Sequence, residues 1–200
     1  MPVIGITGGV ASGKSSFTER LSLRLAAKVF DADAAARGLV ENNLEVKQQI
    51  RERFGVQSLS ADGQVDRAFL REAVFANAER RKTLEEILHP LIRAQGRNEM
   101  EAARSSGAWL LLDIPLLFET GAETECDSVV VVACSPTTQR ERIVLFRGLS
   151  EEMAEKMIAS QTNLASKASR ADYVIWNDAP LARLEEQIDI FAGYLGKRYG

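Results

Sequence analysis

Five short apolar runs, Val3 to Thr7, Val29 to Asp31, Trp109 to Asp113, Val129 to Ala133 and Tyr173 to Trp176, limit most strongly what this chain can fold into. Their continuous apolar character, without polar alternation, is that of strands buried on both faces, the condition of a parallel sheet covered by helices. The segments between them are long enough for helical crossovers. Alternating strand and helix predicts an α/β fold with a doubly wound, five-stranded parallel sheet, whose ligands sit at the carboxyl ends of the strands.

The first run leads directly into Gly8-Gly9-Val10-Ala11-Ser12-Gly13-Lys14-Ser15, which fits G-x-x-x-x-G-K-[ST] at every fixed position and precedes a helical pattern. Glycines let the backbone fold into a nest whose N–H groups point at phosphate oxygens, and the helix N-terminus adds partial positive charge. In this geometry Lys14 reaches the β- and γ-phosphates of a nucleotide, and the Ser15 hydroxyl ligates a bridging magnesium ion. The competing reading is a Gly-rich turn with a solvated lysine. The order strand, loop, Gly-Lys-Ser and helix favours the phosphate loop.

The 200 residues can bury a sizeable core, and 46% hydrophobic with 26% charged residues is the composition of an ordinary globular protein. A net charge of −3 argues against a general nucleic-acid binder, so an anionic ligand must be held by a local basic cluster. The first strand begins within a few residues of Met1, leaving no room for an export signal. The longest apolar stretches fall far below the roughly 20 residues of a membrane helix. A cytoplasmic protein without membrane contact is expected. Cys126 and Cys134 form no C-x-x-C pair and read as reduced, packed thiols. The oligomeric state is left open, a monomer included.

Helical stripes fall where the crossovers should. Phe17, Leu21 and Leu25 share one face after the phosphate loop, and Leu181, Leu184, Ile188, Phe191 and Leu195 share one after Pro180. Ser135 and Pro136 form an N-cap and N1 pair, and Ser150 is the expected cap of the helix that follows. From about Gly38 to Ser106 runs an excursion too long for one crossover helix. Its stripes are Val46, Ile50 and Phe54; Phe69, Val74 and Phe75; and Leu84, Ile87, Leu88, Leu91 and Ile92, with a polar break from Gln57 to Gln64. A mostly helical insertion is predicted.

Asp31-Ala32-Asp33 follows the second strand, where a carboxylate projects at the carboxyl edge. One of the pair could cap a helix. Phosphoryl transfer to an alcohol needs a group that orients the hydroxyl and accepts its proton, and Asp33 suits this role if proton transfer is late and alignment contributes most. Asp113 ends an apolar strand and either holds a metal-bound water or hydrogen-bonds the turn into Ile114-Pro115-Leu116-Leu117-Phe118-Glu119; the sequence leaves both open. Arginine forks bind phosphate oxygens at two points, and of Arg140, Arg142 and Arg147 on one helix, Arg142 is the first candidate. His89, the single histidine, precedes Pro90, which suggests a structural residue at a helix boundary. With no second histidine or paired thiols, a zinc site is not expected.

These residues together resemble the dephospho-CoA kinase family over nearly the whole chain. The shared pieces are Ile4-Gly5-Ile6-Thr7-Gly8-Gly9 with Ser12-Gly13-Lys14-Ser15, Asp31-Ala32-Asp33 with Ala36-Arg37, Phe54-Gly55, Asp62-Gly63, and Asp66-Arg67. They continue through His89-Pro90 with Ile92-Arg93, Asp113 to Glu119, Gln139 with Arg142, Gln161, and Ala171-Asp172 with Asn177. The resemblance implies a P-loop, nucleotide-kinase-like fold and transfer of the γ-phosphate of ATP, with Mg2+, to the ribose 3′-hydroxyl of the small molecule dephospho-CoA. It further implies that Ala11, Ser12, Gly13, Lys14, Ser15 and Ser16 hold the ATP phosphates and that Asp33 accepts the proton. His89, Arg93, Pro115, Leu116 and Glu119 would line the acceptor side. Asn177, at the turn after the last strand, is a candidate for the adenine side, and Ser15 with Asp113 for magnesium. The implied organisation is a core of residues 1–37, 107–136 and 168–200, a helical substrate domain at 38–106 and a lid at 137–167.

The chain departs from the family pattern twice. Ala11 stands where a third glycine is more usual, so it must tolerate that backbone conformation. Phe146 and Arg147 fill the places before Gly148-Leu149-Ser150 where an Arg-Asp pair is more usual. Two rival readings remain. Another small-molecule P-loop kinase shares the fold and the loop, and only the D-A-D, H-P and D-I-P-L-L-F-E segments speak against it. A GTP switch needs N-K-x-D after a strand, but Val129 to Ala133 leads into Cys134-Ser135-Pro136-Thr137.

Overall fold

The computed structural model describes residues 2–159 and 164–200; Gln161 and part of the 137–167 segment lie outside the described residues. In chain order the elements are β1 (Val3–Gly8), α1 (Lys14–Leu25), β2 (Lys28–Asp31), α2 (Ala32–Asn42), α3 (Leu44–Phe54), α4 (Arg67–Ala76) and α5 (Ala78–Ser106). They continue with β3 (Leu110–Asp113), β4 (Ser128–Ala133), α6 (Pro136–Arg147), α7 (Glu151–Ala159), α8 (Leu164–Arg170), β5 (Tyr173–Trp176) and α9 (Leu181–Tyr199).

The five strands form one sheet in the order β2-β3-β1-β4-β5. β1 lies between β3 and β4 and is parallel to both, with Ile4 opposite Leu111 and Ser128; β4 is parallel to β5. The central strands are buried along their length because both faces are covered. One face packs Ile4, Ile6, Val130 and Val132 against Phe17 and Leu21 of α1 and Leu184, Ile188, Phe191 and Leu195 of α9. The opposite face packs Val129, Val131 and Ala133 with Leu117 and Phe118. Leu181 stands half exposed, outside the stripe predicted for it, because it opens the first turn of α9 rather than facing the sheet.

By internal contacts the chain divides into two compact units: Met1–Phe30 with Glu99–Gly200, which contains the sheet, and Asp31–Asn98. The second has its own core, in which Val46, Ile50 and Phe54 of α3 meet Leu39 and Val40 of α2, Leu70 of α4, and Ile87 and Leu88 of α5. The polar break holds a single 3-10 turn at Val56–Ser58 and an antiparallel bridge between Leu59 and Val65. His89 is not at a helix boundary: α5 runs through it and Pro90 without stopping. Pro90 costs the helix an internal hydrogen bond, but the stripe of Leu84, Ile87, Leu88, Leu91 and Ile92 around it packs into the core of this unit, and burial outweighs the local preference. Among the described residues no helix is long and apolar enough to cross a membrane.

Candidate active site

The loop after β1 is built almost entirely from its own backbone and from side chains that grip its carbonyls. Ser12 N–H donates to the Gly9 carbonyl at 3.2 Å, closing the turn, and Phe17 N–H takes up the Gly13 carbonyl at 3.0 Å as α1 begins. Gly13 has φ +89°, a left-handed conformation that suits glycine, and a methyl group there would come within 2.2 Å of the Asn177 side-chain nitrogen. Ala11 is also left-handed, at φ 56°. The position where a third glycine was more usual therefore keeps the glycine-like backbone, at a cost of roughly 1–2 kcal/mol for a residue with a Cβ. A methyl group on Gly8 would lie 2.4 Å from the Val132 carbonyl, so β1 can approach β4 this closely only with glycine at that point.

Three side chains from the far half of the sequence hold this loop. Gln139, buried on α6, donates to the Val10 carbonyl at 2.7 Å. Arg142, one turn further along α6, donates to the carbonyls of Ala11 at 3.3 Å, Ser12 at 3.4 Å and Asn177 at 2.9 Å. Asn177, just past β5 and buried, donates from its side chain to the Ser12 carbonyl at 2.8 Å, while its own N–H goes to Ala133 at 2.7 Å. Arg142 and Asn177 thus act on the shape of the loop. With its carbonyls tied back, the N–H groups of the nest are left to face outward.

The start of α1 is suited to an anion. α2, α3, α4 and α6 begin with an Asp, Asn or Ser side chain accepting from first-turn N–H groups, whereas α1 begins at Gly13 with no side-chain cap and no acidic residue in its first turn. Its first N–H groups are the unsatisfied donors of a helix terminus, where the dipole favours negative charge. Ser12 Oγ is buried and has no hydrogen-bond partner among the described residues, a cost of about 1–3 kcal/mol that a phosphate oxygen would relieve. A triphosphate fits this set of donors.

Lys14 projects from the same turn and forms an ion pair with Asp113 at the end of β3; Thr18 Oγ1, one turn along α1, donates to the other Asp113 oxygen at 3.1 Å. Asp113 is buried, and the turn after β3 does not call on its carboxylate, because Ile114 N–H goes to the Ile6 carbonyl at 3.0 Å. Asp113 therefore faces the phosphate loop. Ser15 lies exposed in the first turn of α1. A hydroxyl and a carboxylate are hard oxygen donors of the kind that bind magnesium with part of its water shell, so the donor set fits that ion.

After β3 the chain carries Pro115, Leu116 and Glu119. The Pro115 carbonyl accepts from Thr7 Oγ1 at 2.9 Å and from Lys167 Nζ at 3.0 Å, and Glu119 pairs with the same ammonium at 3.0 Å. Lys167 is 1% exposed. Sequence reading passed over it, as it did Thr7 and Thr18 as site residues; Thr18 is four residues from Lys14, so helical spacing could have paired them. In the other unit, Asp31 caps α2 by accepting from Ala34 N–H at 2.8 Å, which leaves Asp33 as the exposed acid of its first turn. His89, half buried, and Arg93, exposed, are four residues apart on α5 and so share a helix face.

Both cysteines are structural in their surroundings. Burial pushes the Cys126 thiol up to about 12, reinforced by Asp127 and nearby glutamates, and the Cys134 thiol to about 11 despite the opposing charge of Arg142. Cys134, Gly9 and Gln139 line one side of a cavity of about 440 Å³ behind the loop.

The sheet and loop alone do not choose among kinases. A shikimate kinase from Bacteroides thetaiotaomicron, at 13% identity and TM-score 0.53, shares the fold. A crystal structure from Thermus thermophilus matches at TM-score 0.77 and 31% identity, and a dephospho-CoA kinase from Campylobacter jejuni at 0.67 and 28%, each pair covering 97% of both chains. A dephospho-CoA kinase from Bacillus cereus is 41% identical over 189 residues, 94% of each chain, and one from Syntrophotalea carbinolica is 39% identical over 94% of this chain and 89% of its own. The family model described as CoaE, dephospho-CoA kinase, matches residues 2–183, a span that takes in the phosphate loop, the Asp33 turn, the Asp113–Glu119 segment and Asn177. With the phosphate loop, all five strands and the Asp113–Glu119 segment inside that span, the chain belongs to the dephospho-CoA kinase family.

Proposed function

We propose that this chain transfers the γ-phosphate of ATP to the ribose 3′-hydroxyl of dephospho-CoA, giving coenzyme A and ADP, with Asp33 as proton acceptor. The observation that carries this reading is the phosphate loop, with its tied-back carbonyls, uncapped helix start and buried Ser12 hydroxyl, in a chain that the family model matches over residues 2–183. Family membership makes the protein a phosphotransferase. A small-molecule acceptor and a cytoplasmic setting are part of the same proposal.

The residues divide the work. The N–H groups of the Ala11–Ser16 loop, apart from that of Ser12, which closes the turn onto Gly9, bind the triphosphate with the Lys14 ammonium and stabilise charge on the transferring group. To do so Lys14 must exchange part of its pairing with Asp113 for phosphate oxygens. Ser15 and Asp113 would hold magnesium, which would supply positive charge to offset the negative charge of the phosphates. Asp33 orients the 3′-hydroxyl and takes its proton as the bond forms. The Pro115–Glu119 segment, with His89 and Arg93, binds the dephospho-CoA body. Residues 38–106 form the substrate domain.

The test is ADP release with ATP, magnesium and dephospho-CoA, against the same mixture without acceptor or with a nucleoside monophosphate. Turnover should depend on dephospho-CoA. Asp33→Asn should leave ATP binding close to wild type and lower kcat by about 10² or more, the scale of a lost acid–base group. Turnover unchanged by that substitution would remove Asp33 from the chemistry, and equal turnover with nucleoside monophosphates would remove dephospho-CoA as the preferred acceptor.

A further inference from the structure

We infer that Lys167 is a positioning residue for the acceptor segment, fixing Pro115 and Glu119 from α8 so that Leu116 is presented at a set place; this rests on the proposed role of that segment in holding dephospho-CoA. The first support is burial. Lys167 is the one charged residue among the largest fully buried side chains of the described residues, and an ammonium is costly to bury unless several partners repay its lost hydration. Its partners are the Pro115 carbonyl and the Glu119 carboxylate, each at 3.0 Å, and both belong to the segment after β3. Glu119 keeps a side chain 27% exposed, so the pair spans from the interior to the surface.

The second support is the company Lys167 keeps. The Pro115 carbonyl also accepts from Thr7 Oγ1, so two donors, one from β1 and one from α8, fill both of its lone pairs. Arg170, three residues along α8, lies over the Phe118 ring at 4.3 Å and donates to Glu123 at 2.5 Å. α8 therefore grips the segment at Pro115, Phe118, Glu119 and Glu123. α8 is itself anchored, because Asp172 just beyond it accepts from Val129 N–H at 2.7 Å and its own N–H returns to the Val129 carbonyl at 3.0 Å. With Pro115 fixed and Leu117 wholly buried, Leu116 between them is left 38% exposed. A buried methionine could fill the same volume without a charge, so the ammonium's contribution is the place and direction of the segment rather than packing.

Steady-state kinetics on the full chain, varying dephospho-CoA and ATP in turn, test this. Lys167→Met, which keeps the stem and removes the ammonium, should raise KM for dephospho-CoA about tenfold or more, the scale of hydrogen bonds to a charged group. KM for ATP should stay within about twofold, the signature of a loss confined to one substrate. Lys167→Arg, which restores charge and donors, should recover most of the loss. If both KM values rise together, or if Lys167→Arg behaves no better than Lys167→Met, the residue is merely structural and the inference falls. Should Lys167→Met fail to fold, Lys167→Gln, which keeps one N–H for the Pro115 carbonyl, is read by the same split. Leu116→Ala separates the underlying premise. It should raise KM for dephospho-CoA by itself; if it does not, the segment is not the acceptor site and the inference goes with it. If Leu116→Ala has that effect and Lys167→Met does not, only the role of Lys167 is lost.

Discussion

The Gly8–Ser15 loop and the Pro115–Glu119 segment leave adjacent parallel strands at the same end of the sheet, yet they are shaped by opposite means. The first is determined by its own backbone: a turn from Ser12 to Gly9, left-handed residues at Ala11 and Gly13, and a glycine at position 8 that lets β1 lie against β4. Its outside ties, from Gln139, Arg142 and Asn177, all end on its carbonyls. The second has a main-chain turn of its own, in which Thr120 and Ala122 N–H donate to the Leu116 and Leu117 carbonyls at 3.0 Å, but no left-handed residue from Pro115 to Glu119. It is placed by side chains from β1 and α8 that reach Pro115 and Glu119. On the proposed function the difference has a reason: a site for phosphate, which presents the same oxygens in every nucleotide, can be built from main-chain donors, whereas a site for one acceptor needs side chains that can differ between kinases.

The largest test of this contrast is at Lys14, whose ammonium pairs with Asp113 in this structure and on the proposed function exchanges part of that pairing for phosphate oxygens. Lys14→Met should lower kcat/KM by about 10³, the upper scale for a removed transition-state donor, measured as ADP release with both substrates. It should also lower the melting temperature, because the buried Asp113 then loses its ion pair and keeps the hydrogen bond from Thr18. Adding Asp113→Asn should restore stability without restoring turnover. If turnover returned with stability, the lysine would be a scaffold residue and the contrast between the loops would fail.

That division also explains what could be read beforehand. The three central strands were legible because burial on both faces leaves unbroken apolar runs; the edge strands β2 and β5 carry apolar runs too although each buries only one residue; and the phosphate loop was legible because its geometry is written in consecutive residues. Ser135 and Ser150 were recognisable caps, each accepting a hydrogen bond at 3.2 Å from the N–H three residues on. α2 was legible only as the helix that one of Asp31 and Asp33 could cap, since Ala32 to Arg37 carries no apolar stripe, and Asp31 is the one that caps it. Pro90 misled for the reverse reason: a local rule predicted a boundary, and tertiary burial overrode it. Lys167 and its partners are separated by about fifty positions in sequence, and nothing in the spacing of Pro115, Glu119 and Lys167 marks them as neighbours. Only the fold brings them together.

A smaller and sharper effect is expected at Arg142. Arg142→Lys keeps the positive charge but loses the fork that spans the Ala11, Ser12 and Asn177 carbonyls. KM for ATP should rise about tenfold, with KM for dephospho-CoA little changed, as measured by varying each substrate in turn. This is the mirror image of the pattern expected for Lys167→Met, so the two variants together ask whether the loops are held independently. If Arg142→Lys lowered kcat and left KM for ATP unchanged, the guanidinium would act on the transferring phosphate and not on the shape of the loop.

The smallest effect expected is in thiol reactivity, and it compares the two loops without altering either. Cys134 sits behind the phosphate loop, lining a cavity with Gly9 and Gln139; Cys126 follows the acceptor segment and packs beside Gly5 and Leu117. The thiolate is the reactive form, and burial has moved both groups upward, to about 11 and about 12, so at pH 8 both remain protonated and labelling must await a local opening. Raising the pH towards those values should speed the reaction of each. At fixed pH, ATP that tightens the nest should slow labelling of Cys134 several-fold, as any ligand binding the closed form does, and leave Cys126 near its unliganded rate. Dephospho-CoA should do the converse. Equal protection of both cysteines by either substrate alone, followed by mass spectrometry of the labelled peptides, would mean that the two loops open as one unit, and that the separate ties from α6 and α8 do not give them separate motions.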